Sequence, residues 1–262
     1  MIANCSHDER GKLSGGAAGD QTGNASASKG EWRLCPWYNR PWLYVIRFED
    51  EVIANGIAKE GEAAARNDCI GYDQSQRMTY WHELEKNGYK SANIKKRCET
   101  DCSAGTLAIV KAVGFQLRDI NNADKPDFFP TLKAIEALCK INPSGYSGNA
   151  RAILVKAGGK VLTAKKYLTS DKWLKPGDIM INPGHHVAIN LSWGSEAKKA
   201  ETAKKAAPSK KSTQKADVTK IARQVIDGKW GNGASRRKAL EAAGYNYKEI
   251  QAEVNRILKG GK

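Results

Sequence analysis

Histidine is scarce in this chain, four in 262 residues, so any histidine-dependent chemistry has few positions to draw on. No HExxH occurs, and no CxxC pair has zinc-finger spacing; neither a zinc peptidase nor a zinc module is indicated, and no metal or cofactor is expected. Nowhere does an apolar run approach the roughly 20 residues of a membrane span. The opening MIANCSHDERGK also lacks the apolar stretch of a secretory signal, which predicts a product made soluble in the cytoplasm. Acidic residues are outnumbered, 28 against 43 Lys+Arg, for a net charge of +15. That excess suits a polyanionic partner: nucleic acid, an anionic membrane or a bacterial wall. No RNA-recognition, helix-turn-helix or zinc motif accompanies it, so a nucleic-acid role would rest on charge alone and none is expected.

What is present is a globular composition, 40% hydrophobic with seven tryptophans. The length suffices for one full core and a smaller second module, since single domains cluster at roughly 100–150 residues. Residues 1–30 include KLSGGAAGDQTGNASASKG and read as a loop or arm. EWRLCPWYNRPWLYVIRF then leads into a short strand ending in Leu43, Val45 and Ile46. Helical spacing recurs over 51–66 and 75–87, with Gly88 placed as a C-cap and CIGYDQSQR between them as a turn. Further helices are predicted over 104–114 and 130–139. ARAILVKA, GKVLTAKKYLT, GDIMIN and HHVAINLSW read as strands. Helices first and strands last give an α+β domain over 1–195. A Lys/Ala-rich linker over 196–216, partly helical, should follow. In 217–262 two amphipathic helices flank a glycine-rich middle, a small all-α bundle of a size that suits a binding module.

The stretch ETDCSAGTLAIVKAVG (99–114) places Cys102 where a helix begins. The helix dipole and unpaired N–H groups there favour thiolate and can hold an oxyanion, which predicts a lowered thiol pKa. Asp101 could cap the helix, and the small Ser103, Ala104 and Gly105 would let a substrate backbone approach. The alternative is a buried cysteine that packs as a small hydrophobe. A base is available in INPGHHVAINL: His185 and His186 begin a strand, where alternation sends them to opposite faces, and His186 is favoured. His7 lies in the loop-rich start and His82 on a helix face. The six cysteines are read as reduced, with Cys98 and Cys102, four apart, as the pair that could couple.

In order, GYDQSQR (71–77), DCSAG (101–105), LKPGDIMIN (174–182) and HHVAINL (185–191) resemble the NlpC-type papain-like cell-wall cysteine peptidases. Residues 1 to about 195 resemble a phage endolysin catalytic domain of that superfamily; SHDERGKLSGGAAGDQTG and PWYNRPW are characteristic. The resemblance implies that Cys102 is the nucleophile, His186 the general base and Tyr72 a residue that polarises the carbonyl. Asp73, Asp101, Ser103, Asp20 and Gln21 are the expected substrate contacts. The family also has a third polar residue, on the strand after the histidine strand, and no such strand is evident after Trp193. Asn190 is the nearest candidate, but four residues along a strand is about 13 Å. Asp8, Asp20 or Gln21 could serve instead.

ARQVIDGKWGNGASRRKALEAAGYNYKEIQAEVNRIL resembles the Cpl-seven-type repeat of certain phage lysozymes, which recognises the muropeptide. Asp227, Trp230, Asn232, Arg236, Arg237 and Tyr245 are the expected wall contacts. Together the two resemblances imply a peptidoglycan hydrolase, monomeric by default, released through a holin pore to act on the wall. It would cut either γ-D-Glu to the diamino acid or MurNAc to L-Ala. A basic wall-binding protein with a structural Cys102 is the competing reading from another class.

Overall fold

Six strands form one antiparallel sheet in the order β2-β1-β8-β7-β3-β6. They are β1 (Ile2–Cys5), β2 (Trp32–Cys35), β3 (Tyr44–Arg47), β6 (Lys160–Leu162), β7 (Ile179–Asn182) and β8 (His186–Asn190). A separate parallel pair joins β4 (Ile70–Tyr72) to β5 (Cys98–Thr100). The helices are α1 (Glu51–Ala65), α2 (Thr79–Lys86), α3 (Cys102–Asn121), α4 (Leu132–Cys139), α5 (Ala150–Lys156), α6 (Lys165–Leu168), α7 (Ser195–Ala206), α8 (Lys211–Ile226), α9 (Gly233–Ala242) and α10 (Tyr247–Leu258). This computed structural model describes residues 1–17, 31–121, 129–206, 211–243 and 245–258. The expected contacts Asp20 and Gln21 lie outside the described residues.

Two hydrophobic clusters coat the two faces of the sheet. Ala3, Cys5, Ile46, Ile179, Ile181, Val187 and Ile189 pack with α1 and α3, around Ile57, Leu107, Ile109 and Val113. Ile2, Val45, Met180 and Ala188 face the other way, against Trp42 and Leu174. Period-2 alternation therefore decides which side each strand residue serves. Asn4 shares the face of Ile2, and His186 and Asn190 share the face of Ala188.

The antiparallel sheet and its helices bear out the α+β expectation, but several elements differ from it. The opening residues are the second strand of the sheet, not an arm: Ile2 to Asn190 and Ala3 to Ile189 pair on one side, Ile2 to Cys35 and Cys5 to Trp32 on the other. IANC is too short to show a period, and its strand state comes from its two neighbours. ARAILVKA is helix α5, because Ala150 and Leu154, one turn apart, are the buried pair. Only Lys160–Leu162 of GKVLTAKKYLT is strand; Lys165–Leu168 is helical. CIGYDQSQR holds β4 rather than a turn alone. Gly88 does adopt the left-handed conformation of a C-cap, at φ 65°.

The chain divides into two units, Met1–Glu201 and Thr202–Lys262. The first part of α7 belongs to the first unit: Ala197 is buried, and Lys175 pairs with Glu201 at 2.8 Å. The second unit has three described helices where two were expected, α8, α9 and α10, closing over Ile221, Val225, Leu240, Ile250 and Val254. Among the described residues no helix is long and apolar enough to cross a membrane.

Candidate active site

Helix α3 begins at Cys102 because Asp101 caps it: Oδ1 accepts from the Ser103 and Ala104 N–H groups at 2.8 Å each, and from the Ser103 hydroxyl at 2.8 Å. The other carboxylate oxygen pairs with Arg77 Nε at 2.8 Å. Arg77 also donates to Ser103 Oγ at 3.4 Å and to the Gly145 carbonyl, so one guanidinium ties the helix start to two loops. Asp101 and Ser103 are thus parts of the scaffold that aims Cys102. Gly105 has a packing reason of its own: a Cβ there would come within 2.6 Å of Trp32 Cζ2. The ring of Trp32, not a substrate backbone, occupies that approach.

Cys102 is 8% exposed. Backbone N–H groups of Val187 and Ser103 favour its thiolate, as does the Arg40 charge. Burial and the Asp101 carboxylate outweigh them and push the thiol up to about 11. This corrects the expectation of a lowered pKa: a helix N-terminus favours thiolate, but a dry, acid-flanked one favours it too little. All six cysteines are free. Cys98 sits at 3.6 Å from the Cys69 carbonyl, and it is Cys5, on β1, whose thiol is raised by burial and by Cys102.

His186 opens β8, one residue before Val187, whose N–H favours the Cys102 thiolate. It is 2% exposed and lies tilted against Trp42, ring centroids 5.9 Å apart at 32°. Its Nε2 lies 2.8 Å from Asn4 Oδ1. An amide oxygen only accepts, so Nε2 carries the proton and Nδ1 keeps its lone pair. Burial, with the positive charges of Arg40 and Arg33, drives the imidazole down to about 3. The positive charge of Arg40 acts on both groups, favouring the thiolate of Cys102 and the neutral form of His186.

Asn4 was not singled out by the sequence reading. It comes from β1, the strand beside β8, and is fully buried. Asn190 makes different bonds: its Nδ2 donates to the Lys175 carbonyl at 2.8 Å and the Ser192 carbonyl at 2.6 Å. It fastens the end of β8 and does not reach the imidazole. Asp8 is bound within its own loop, accepting from the Arg10 and Lys12 amides at 2.9 and 2.6 Å.

Tyr72 ends β4 and is 2% exposed. Its hydroxyl accepts from Gln74 Nε2 at 3.1 Å. Burial, with Cys5 and Cys102 nearby, raises its pKa well above the ordinary phenol value, so it keeps a proton to donate. Asp73 accepts from Ser75 N at 2.7 Å, Ser75 Oγ at 2.5 Å and Gly15 N at 2.9 Å. These bonds hold its carboxyl below the usual range and pin the loop at Gly15 rather than leaving an oxygen for a ligand. A cleft of about 470 Å³ opens over Cys102, lined by Gln74, Arg77, Ser103, Tyr146, Gly184 and His185 among others. His185 is therefore on the open side and His186 on the buried side. Tyr146, 57% exposed, was missed because the loop around NPSGYSG carries no period.

In the second unit, Trp230 and Tyr245 meet edge to face, centroids 5.8 Å apart, and Trp230 Nε1 donates to Gln224 Oε1 at 3.0 Å. Both rings are half-buried. Arg236 is held by the Gly231 carbonyl at 3.0 Å and Asn232 Oδ1 at 3.1 Å. Arg237 pairs with Glu241 at 2.9 Å, and Asp227 is exposed.

A family model described as an endolysin-like domain matches residues 2–197, and one described as a CW_7 repeat matches residues 219–258. No curated protein and no solved structure matches the chain.

Proposed function

Because the chain belongs to the endolysin-like domain family and carries a CW_7 cell-wall-binding repeat, we propose that it hydrolyses peptidoglycan by a cysteine peptidase mechanism on an NlpC-type, papain-like scaffold. The observation that carries this reading is one constellation. The Val187 N–H favours the Cys102 thiolate, and His186, the residue before it, has Nε2 bonded to Asn4, which leaves Nδ1 its lone pair. In this reading Asn4, from β1, takes the role that the resemblance assigns to a polar residue on the strand after the histidine strand.

Both reacting groups are neutral in the free protein, so the thiol proton passes to His186 Nδ1 as Sγ bonds to the scissile carbonyl carbon. The imidazolium that results is stabilised by the Asn4 oxygen at Nε2–H. The tetrahedral oxyanion is held by the Tyr72 hydroxyl and the Cys102 N–H, since the Ser103 and Ala104 amides are already bonded to Asp101. His186 then protonates the leaving amine as the C–N bond breaks, and later removes a proton from the water that hydrolyses the thioester. In this reading Asp101, Ser103 and Asp73 hold the scaffold, while Gln74, Tyr146 and His185 offer the cleft's polar contacts to a stem peptide. The bond favoured is γ-D-Glu to the diamino acid; the alternative on the same residues is MurNAc to L-Ala. Asp227, Trp230, Asn232, Arg236, Arg237 and Tyr245 form the wall-binding contacts of the repeat in this proposal. The protein acts on the wall after release from the cell that makes it, needs no cofactor, and is taken as a monomer.

Mass spectrometry of purified peptidoglycan digested by the wild-type protein and by Cys102→Ala tests this. Fragments with a new amine on the diamino acid establish the endopeptidase, and free stem peptides beginning at L-Ala establish the amidase. No fragments from either protein, with both still pelleting on walls, leave a binding protein. The two histidines separate in the same assay: His186→Ala should lose turnover by at least about 10³-fold, whereas His185→Ala should mainly raise KM. The reverse pattern would make His185 the base.

A further inference from the structure

The segment that leads from β2 to β3, CPWYNRPW (35–42), packs on the sheet face that carries His186 and makes two contacts to the residues there. The Tyr38 hydroxyl donates to Asn4 Oδ1 at 2.9 Å. Trp42 packs on the imidazole. Trp42 Nε1 in turn donates to the Tyr38 carbonyl at 3.2 Å, and the two rings lie 6.0 Å apart. We propose that Tyr38 is a positioning residue for the reaction: through Asn4 it dictates which nitrogen of His186 carries the proton.

A carboxamide has two chemically different ends, and a buried one can rotate by half a turn at little steric cost. With its oxygen toward His186, Asn4 requires Nε2–H and leaves Nδ1 to serve as base. With its nitrogen toward His186, it would require an unprotonated Nε2 and move the proton to Nδ1, which removes the base. The Tyr38 hydroxyl decides between these states because its proton needs an acceptor. Burial raises the phenol pKa, so that proton is present across the working range, and the positive charge of Arg40 acts on the same phenol. A cation favours a hydroxyl that turns its oxygen toward it and its proton away, so the hydroxyl serves as donor to Asn4. The remaining end of the carboxamide, Nδ2, donates to Ser6 Oγ at 3.3 Å. Asn4 Oδ1 thus accepts two hydrogen bonds, from Tyr38 and His186, and a Tyr38 hydroxyl that donates holds the carboxamide in the orientation that keeps the proton on Nε2.

The inference rests on the hydrolase reading for its effect on rate, but its core statement concerns the His186 tautomer and is measured without turnover. In ¹⁵N-labelled full-length protein at neutral pH, the His186 ring should show a protonated Nε2 and a bare Nδ1, with the resonance identified by its loss in His186→Gln. Tyr38→Phe keeps the ring and its packing and removes the donor. It should mix the two tautomers, lower kcat by about tenfold with KM unchanged, and slow alkylation of Cys102 by iodoacetamide by a similar factor. A wild-type His186 protonated at Nδ1 would overturn the proposal even if Tyr38→Phe failed to fold. So would a folded Tyr38→Phe whose tautomer and kcat match the wild type. Absence of turnover in the wild type, with the Nε2–H tautomer intact, would count against the hydrolase reading and leave the Tyr38 assignment standing.

Discussion

Burial moves the proposed nucleophile and base in opposite directions, Cys102 up to about 11 and His186 down to about 3, so both are uncharged near neutrality. The Asp101 carboxylate is the largest contribution to the thiol shift after desolvation. Asp101→Asn retains an oxygen to cap α3 and removes that charge, so the Cys102 pKa should fall. The inflection in its alkylation rate against pH measures this, and an unmoved inflection would contradict the assignment. His186 also affects stability. Its folded pKa lies below its unfolded value of about 6.5, so protons bind the unfolded chain preferentially. The stability from keeping it neutral is complete above about pH 6.5 and is lost as pH falls toward 3. Asp8 and Asp73, whose folded pKa values are lowered from 3.8, lose theirs only near and below that value. Between about pH 6.5 and 4.5 the decline in Tm should therefore be shallower in His186→Gln than in the wild type.

At the scale of elements, the site depends on the fit of α3 against β2. Replacing a mid-helix glycine by alanine ordinarily gains up to about 1 kcal/mol of helix propensity. At Gly105 the added carbon would sit within 2.6 Å of Trp32, and overpacking of that kind costs about 1–3 kcal/mol. The cost outweighs the gain, so Gly105→Ala should lower Tm; a variant as stable as the wild type would show that Trp32 relaxes freely. The same elements explain what the sequence concealed. LAIVKAVG repeats its apolar residues every three to four positions and was legible as a helix. IANC and IGY have too few residues for any period, and their strand character comes from partners far along the chain.

At the scale of the whole molecule, the boundary between units falls within α7, at Glu201, and the Lys175–Glu201 pair and buried Ala197 belong to the first unit. A chain ending after Ala206 should keep turnover of soluble muropeptides within about twofold and lose most of its pelleting on walls. Loss of soluble turnover as well would mean that the first unit does not work alone. Tethering a wall-binding module to a second unit raises that unit's local concentration at the wall. With a net charge of +15, wall association by the full chain should also weaken as salt rises.

Local chemistry was enough to locate Cys102 at a helix start, Asp101 as its cap and His186 at the head of a strand. Each of these is written in neighbouring residues, as a cap, a period or a turn. The third partner of His186 was not, because hydrogen bonding between strands ignores distance along the chain: the strand beside β8 comes from the first residues rather than from those after Trp193. A search by spacing could reach Asn190, which the fold uses elsewhere, but not Asn4. Nor could local chemistry set the charge state of the thiol, since the helix N-terminus is visible in the sequence and the desolvation that outweighs it exists only once the tertiary packing excludes water.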